Sequence, residues 1–296
     1  MTAEMRYSSQ KSTNDRTFRA PGWVRTSFRL LDRVAPAVGA RWAERIWFTL
    51  PRATGKPSSR RVQTPGSPFD ISVGGHTVVG ESWGDGPTVY LVHGWAGNRK
   101  QLDPFVAPLV AAGRRVVAFD APSHGESAPG EFGSRSSSIP ELAAALSAVV
   151  ERHGRASAIV AHSLGATATA VALCDGLHAS RIAMLAPMAS PAAYARYFAR
   201  VLGFGERTLR RLSARVERRV GAPMRHFDVP ELGRAIATPP TLIIHDREDV
   251  SIPVTDGAAI AAAWSGATLH VTTGLGHRRL LRDSGVVSEV VAFVSS

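Results

Sequence analysis

A serine, a choice of carboxylates and a histidine stand in an order that can carry out nucleophilic acyl transfer. The serine is Ser163 in AIVAHSLGATATA, where a β-branched run meets an alanine-rich helical run. A serine on a strand-to-helix turn has its hydroxyl lifted above the sheet edge, and the strained turn needs small residues two positions to either side. Ala161 and Gly165 hold those positions, where the pattern G-x-S-x-G would place two glycines. The plainer reading of Ser163 is a helix N-cap, a common role for serine before an alanine-rich helix. A serine hydroxyl becomes a nucleophile when a neutral imidazole takes its proton and a carboxylate fixes the imidazole's tautomer. IIHDREDVSIP offers Asp246, Glu248 and Asp249 after one strand-like run, and His277 follows another, VTT (271–273), in GLGHRRLL.

Positioning such groups requires a sheet whose strand ends gather on one side. Short β-branched runs at 88–93, 115–120, 157–162, 181–185 and 241–246 alternate with helical runs at 101–113, 140–154 and 165–174. Continuous apolar strands separated by helices predict an α/β fold, with a mostly parallel sheet covered on both faces. FDISV and HTVVGESW, on either side of Gly74–Gly75, predict an antiparallel hairpin ahead of it. Segment 187–236 carries one amphipathic run through Tyr194, Phe198 and Val201 and another through Leu209, Leu212, Val216 and Val220. Two helices where one crossover would suffice predict a small cap.

Three regions follow: a disordered tail at 1–20, amphipathic helices and a linker at 21–65, and a main domain at 66–296 that contains the cap. On residues 22–34 a stripe of Trp23, Val24, Phe28, Leu31 and Val34 leaves Arg25, Arg29 and Arg33 to one side, and Val38, Trp42 and Ile46 continue it past Pro36. Such a stripe ordinarily packs on its host domain, here on the far side of the cap; a membrane surface is the second alternative.

His93-Gly94-Trp95 after TVYLV, FDAPSHGES (119–127) and the order Ser, acid, His make residues 66–294 resemble the α/β-hydrolase superfamily. The resemblance implies two backbone N–H donors for an oxyanion, from Trp95 and Leu164, and a loop-orienting part for His93. FDAPSHGES is similar to a D-x-P-G-H-G-x-S loop with Ser123 in a glycine's place, which makes Asp120, His124 and Ser127 structural. A G-x-x-D-x-x-x-P pattern maps the triad acid onto Asp249, with Asp246 in the glycine's place as the remaining alternative. His277 maps onto the base. Trp95, Tyr194, Tyr197 and Phe198 are expected to line the pocket, and His162 is expected to pack on the opposite side of the elbow. The implied activity is cleavage of a small-molecule carboxylic ester through an acyl-enzyme. Thioester or C–C bond hydrolysis and acyl or perhydrolytic transfer are the alternatives, and a binding protein on an inactive scaffold is a more distant one.

The remaining sequence narrows the field. The chain has 296 residues and a net charge of +11, almost all of it arginine, without a recognisable nucleic-acid module. It contains no phosphate-binding G-x-x-x-x-G-K-[ST] or G-x-G-x-x-G loop, and its histidines form no ligand pair, so neither cofactor nor metal is expected. Cys174 is the only cysteine, which excludes an internal disulfide. The polar N-terminus lacks a secretory apolar core, and a cytoplasmic protein is expected.

Overall fold

The computed structural model describes residues 20–51 and 66–296, so the expected tail, apart from Ala20, and the linker at 52–65 lie outside the described residues. Two helices come first, α1 (Gly22–Val34) and α2 (Pro36–Phe48). Strands β1 (Ser67–Val73) and β2 (His76–Trp83) form the expected hairpin, which turns at Gly74 and Gly75 with φ of 57° and 83°, values that favour glycine. The strands that follow are β3 (Thr88–Val92), β4 (Arg115–Phe119), β5 (Ala156–His162), β6 (Ala179–Leu185), β7 (Thr241–Asp246) and β8 (Ala267–Thr272). They form one eight-stranded sheet in the order β1-β2-β4-β3-β5-β6-β7-β8, parallel from β4 onward and antiparallel at the β1–β2 and β2–β4 pairings.

Helices α3 (Asp103–Ala111), α4 (Ile139–His153) and α5 (Leu164–Cys174) connect the first parallel strands. After β6 come α6 (Pro191–Leu202), α7 (Glu206–Val220) and α8 (Val229–Ala235). After β7 come α9 (Val254–Ala263), α10 (Gly276–Arg279) and α11 (Ser284–Ser295). Strand alternation divides the core between the two faces. Tyr90 and Val92 join Leu142, Leu146 and the alanines of α5 on one face. Val89 and Leu91 join Phe105, Leu109, Val290 and Val294 on the other. Helix α5 is buried on nearly every side, which explains why its sequence is small: Ala166, Ala168, Ala170 and Ala172 let it sit close to the sheet.

Several boundaries differ from expectation for identifiable reasons. The helix expected over 101–113 begins as a 3-10 turn at Arg99–Leu102 and stops at Ala111, before Gly113 at φ 72°. Strand β8 starts earlier than VTT because its residues alternate between half-buried and exposed, as an edge strand's do. Segment 187–236, expected as a cap, divides: α6 and α7, the two expected cap helices, pack with α1 and α2, whereas α8 packs on α5 and α9, with Val229 in the main core.

The N-terminal helices bury one face against the cap. Phe28 is fully buried, its ring 4.4 Å from that of Trp42 and 5.3 Å from that of Phe204. Val24, Ala43 and Phe48 complete this cluster with Phe198, Leu202, Leu212 and Val216. The chain is then pinned to the body, because the Leu50 amide donates to the Arg135 carbonyl at 2.8 Å and the Arg135 guanidinium donates back to the Leu50 carbonyl at 2.7 Å. Trp23, Val34 and Val38, expected in the packed stripe, are instead exposed.

Candidate active site

Ser163 occupies the turn between β5 and α5 at φ 55° and ψ −121°, a conformation that costs a non-glycine residue of order 1–3 kcal/mol. The surroundings hold it there. The Ser163 amide donates to the Leu185 carbonyl at 2.9 Å, and the Ser163 carbonyl accepts from Ala166 at 3.1 Å. A Cβ on Gly165 would lie 2.5 Å from the His93 carbonyl oxygen, and one on Gly94 would lie 2.8 Å from the Ser163 Cβ. The backbone therefore demands glycine on the helix side of the elbow and in the facing loop. Ala161, fully buried in mid-sheet, pairs with Val92 on one side and Met184 on the other, and its methyl group is part of the core.

Three side chains from three separate strand ends meet in a line. His277 Nε2 lies 3.1 Å from Ser163 Oγ, and His277 Nδ1 lies 2.7 Å from Asp249 Oδ2. All three residues are buried. The other oxygen of Asp249 accepts the amides of Ser251 at 2.8 Å and Ile252 at 2.9 Å. Burial alone would raise the pKa of Asp249, but hydrogen bonds from His245 and His277 and the Ile252 amide hold it well below the usual carboxylate range.

Asp246, the alternative acid, faces elsewhere. It accepts the Glu248 amide at 2.9 Å on Oδ1, and the Thr272 hydroxyl at 2.8 Å and the Leu275 amide at 3.0 Å on Oδ2. Burial opposes its ionisation, but these donors and the Gly276 amide keep its pKa low. It therefore ties the acid loop to the loop that carries His277.

The loop after β3 approaches the elbow from the opposite side. Gly97 closes a turn onto the Gly94 carbonyl at 3.0 Å, with Ala96 at φ 54°. His93 is buried and bridges two loops: its Nε2 accepts the Ala121 amide at 3.0 Å, and its Nδ1 lies 2.8 Å from the Gly94 carbonyl. Among the described residues, no hydrogen-bond acceptor engages the N–H of Trp95 or of Leu164, the first residue of α5. The Trp95 ring stands edge-on to His124, with ring centres 5.7 Å apart.

The loop at 119–127 is held by its own network. The Asp120 carboxylate accepts the Arg99 guanidinium, the Arg99 amide at 2.7 Å and the Glu126 amide at 2.9 Å. Ser127 Oγ donates to the Asp120 carbonyl at 2.6 Å and accepts the Val79 amide at 2.9 Å.

Of the expected pocket aromatics, Trp95 lies in the loop after β3, and Tyr194, Tyr197 and Phe198 lie on α6. Phe198 is committed to the cap core, edge-on to Trp47 at 5.3 Å. Tyr194 meets Trp47 of α2 at 5.8 Å and, because residues one helical turn apart share a face, Tyr197 of its own helix at 5.8 Å.

Two histidines that sequence reasoning set aside belong to the site's surroundings. His162 was expected to pack on the far side of the elbow; instead its ring lies 4.7 Å from that of His277, and its Nε2 is 3.0 Å from the His277 carbonyl oxygen. His245 is fully buried, with Nε2 3.0 Å from the Ile252 carbonyl oxygen and 3.5 Å from Asp249 Oδ2. The signal for both was positional: each sits at or near the C-terminal end of a central strand, His162 directly before Ser163 and His245 four residues before Asp249. Among the described residues, no group of three or more His, Cys, Asp or Glu side chains is placed to hold a metal ion.

Comparison with known proteins agrees with this architecture. Residues 89–290 match the model of the Alpha/beta hydrolase family, and the chain belongs to that family. No curated protein sequence matches it. Among solved structures, an esterase from Exiguobacterium antarcticum superposes with a TM-score of 0.61 at 16% identity, covering 78% of this chain and 100% of the esterase. The thioesterase domain from the curacin biosynthetic pathway gives 0.59 at 16%, covering 79% of this chain and 100% of that one. A meta-cleavage product hydrolase from Pseudomonas fluorescens IP01 gives 0.58 at 16%, covering 76% and 96%. At these identities the likeness concerns the fold.

Proposed function

We propose that the chain is a serine hydrolase that cleaves a carboxylic ester of a small molecule through an acyl-enzyme intermediate. The observation that carries this reading is the continuous hydrogen-bonded line from Ser163 Oγ through the His277 ring to Asp249, at 3.1 and 2.7 Å. Asp249, ionised across the working pH range, selects the imidazole tautomer with its proton on Nδ1 and leaves Nε2 as the acceptor. His277 then takes the Ser163 proton as Oγ attacks the acyl carbon. The tetrahedral oxyanion receives the N–H groups of Trp95 and Leu164, donors that no acceptor among the described residues engages. Collapse expels the alcohol, protonated by His277, and a water activated by the same imidazole releases the acid.

The same line serves a thioester, and the fold of the thioesterase domain superposes with a TM-score of 0.59 against 0.61 for the esterase. Hydrolysis of a nitrophenyl ester series and the matching acyl thioesters, each with wild type and Ser163→Ala, tests the proposal. Ester turnover above thioester turnover, lost in Ser163→Ala, is expected. Thioester preference moves the assignment to a thioesterase, and turnover of either class that survives Ser163→Ala overturns it.

A further inference from the structure

The outer face of the N-terminal helices is unlike the rest of the surface. Trp23, Leu30, Val34 and Val38 are exposed by 67, 59, 70 and 55%. At 100° per residue, Trp23, Leu30 and Val34 fall within an arc of about 40° on α1. Trp23 also reaches α2, its ring stacked 6.3 Å from that of Trp42. The apolar strip thus runs the length of α1 and over the start of α2, on the side turned away from Val24 and Phe28, which face the cap.

Charge on the same two helices is one-sided. Arg25, Arg29, Arg33, Arg41 and Arg45 are all exposed. The acids turn inward: Asp32 accepts the Thr208 amide at 2.9 Å, and Glu44 is buried against the Arg215 guanidinium. Within 20–51 no acidic side chain is exposed among the arginines.

We propose that this face docks on an anionic lipid bilayer, with Trp23, Leu30, Val34 and Val38 entering the headgroup–acyl boundary and the arginines meeting lipid phosphates. Arginines flanking an exposed apolar strip are the pattern of an interfacial helix, in which apolar burial and electrostatic attraction add. A nucleic acid would satisfy the arginines but leave Leu30, Val34 and Val38 in water. Because α1 and α2 pack on α6 and α7, docking would hold the cap near the lipid surface. Among the described residues no helix is long and apolar enough to cross a membrane, so the contact is peripheral.

The test is co-sedimentation of the full chain with vesicles of phosphatidylcholine, alone and mixed with phosphatidylglycerol, alongside titration with a single-stranded RNA. Two variants accompany wild type: Leu30→Ser/Val34→Ser/Val38→Ser, and Arg29→Gln/Arg33→Gln/Arg41→Gln/Arg45→Gln. All their positions are exposed, and thermal melting verifies that each variant folds. Wild type is expected to bind the anionic vesicles and not the neutral ones. The arginine variant should lose at least about tenfold in affinity, since one interfacial arginine alone is worth about fivefold, and the serine variant at least about tenfold because three apolar side chains no longer enter the boundary. Absence of binding to anionic vesicles overturns the proposal. So does a serine variant that binds them as wild type does, because the apolar strip would then have no part. Tighter binding of RNA than of vesicles, unchanged in the serine variant, overturns it in favour of a nucleic-acid surface.

Discussion

Replacing each of the two neighbouring aspartates by asparagine should separate catalysis from folding. In Asp249→Asn the amide oxygen will take the place that accepts the Ser251 and Ile252 amides, at 2.8 and 2.9 Å. The amide nitrogen then faces His277 Nδ1 and turns it into an acceptor, so the ring proton moves to Nε2, toward Ser163. An imidazole in that tautomer cannot take the serine's proton, and kcat should fall by about 10⁴-fold with only a modest loss of stability. In Asp246→Asn the best orientation keeps the amide oxygen on Thr272 and Leu275 and sets the amide nitrogen against the Glu248 N–H. One charge-assisted bond is lost, about 2 kcal/mol, and two become neutral, about 1 kcal/mol each, so stability should drop by roughly 4 kcal/mol. Turnover per folded molecule should stay within about tenfold of wild type, because Asp246 does not touch the His277 ring. Nitrophenyl ester kinetics and urea unfolding measure both quantities. The reasoning is refuted if Asp249→Asn retains near wild-type turnover while folded Asp246→Asn is inactive.

Three further outcomes follow from particular contacts. Burial, reinforced by neighbouring imidazoles, lowers the pKa of His124 and His162 to about 3. The unfolded chain protonates them near pH 6.5 and the folded chain does not, so stability is full above that pH and falls as pH drops toward 3. Between pH 7 and pH 5 the loss should be about 4 kcal/mol for the two together, read by urea unfolding at each pH, and an unchanged midpoint would contradict it. Ala161→Val adds bulk to a fully buried site in mid-sheet and should cost about 1–3 kcal/mol and impair turnover; full activity and an unchanged melting temperature would show that the elbow is not crowded there. Phe28→Ala empties the interface between the N-terminal helices and the cap, at a cost of about 3–5 kcal/mol, which differential scanning calorimetry would detect.

The alternation of β-branched and helical runs, and with it the parallel sheet, was legible because strands buried on both faces carry continuous apolar sequence. The convergence of Ser163, Asp249 and His277 was legible because each follows a strand, and parallel strands deliver their C-terminal ends to one side. What local pattern could not supply was contact across the sheet. His162 lies beside Ser163 in sequence, yet its partner is the His277 carbonyl, 115 residues away. The exposed side of α1 was misread for a related reason: Trp23 and Val34 extend the same hydrophobic stripe as Val24 and Phe28, and only packing against the cap decides which part of it is covered. Helix α8 falls inside the segment 187–236 expected as a cap, where only two amphipathic runs were legible; its contacts with α5 and α9 join residues far apart in sequence.

The most direct test of the central claim is covalent capture of the nucleophile. Incubation with a fluorophosphonate, followed by peptide mass spectrometry, should place one adduct on Ser163. Labelling should be abolished in Ser163→Ala and strongly slowed in His277→Ala, which lacks the base. An unlabelled, folded wild-type protein, or an adduct on another residue at equal rate in Ser163→Ala, would contradict the assignment.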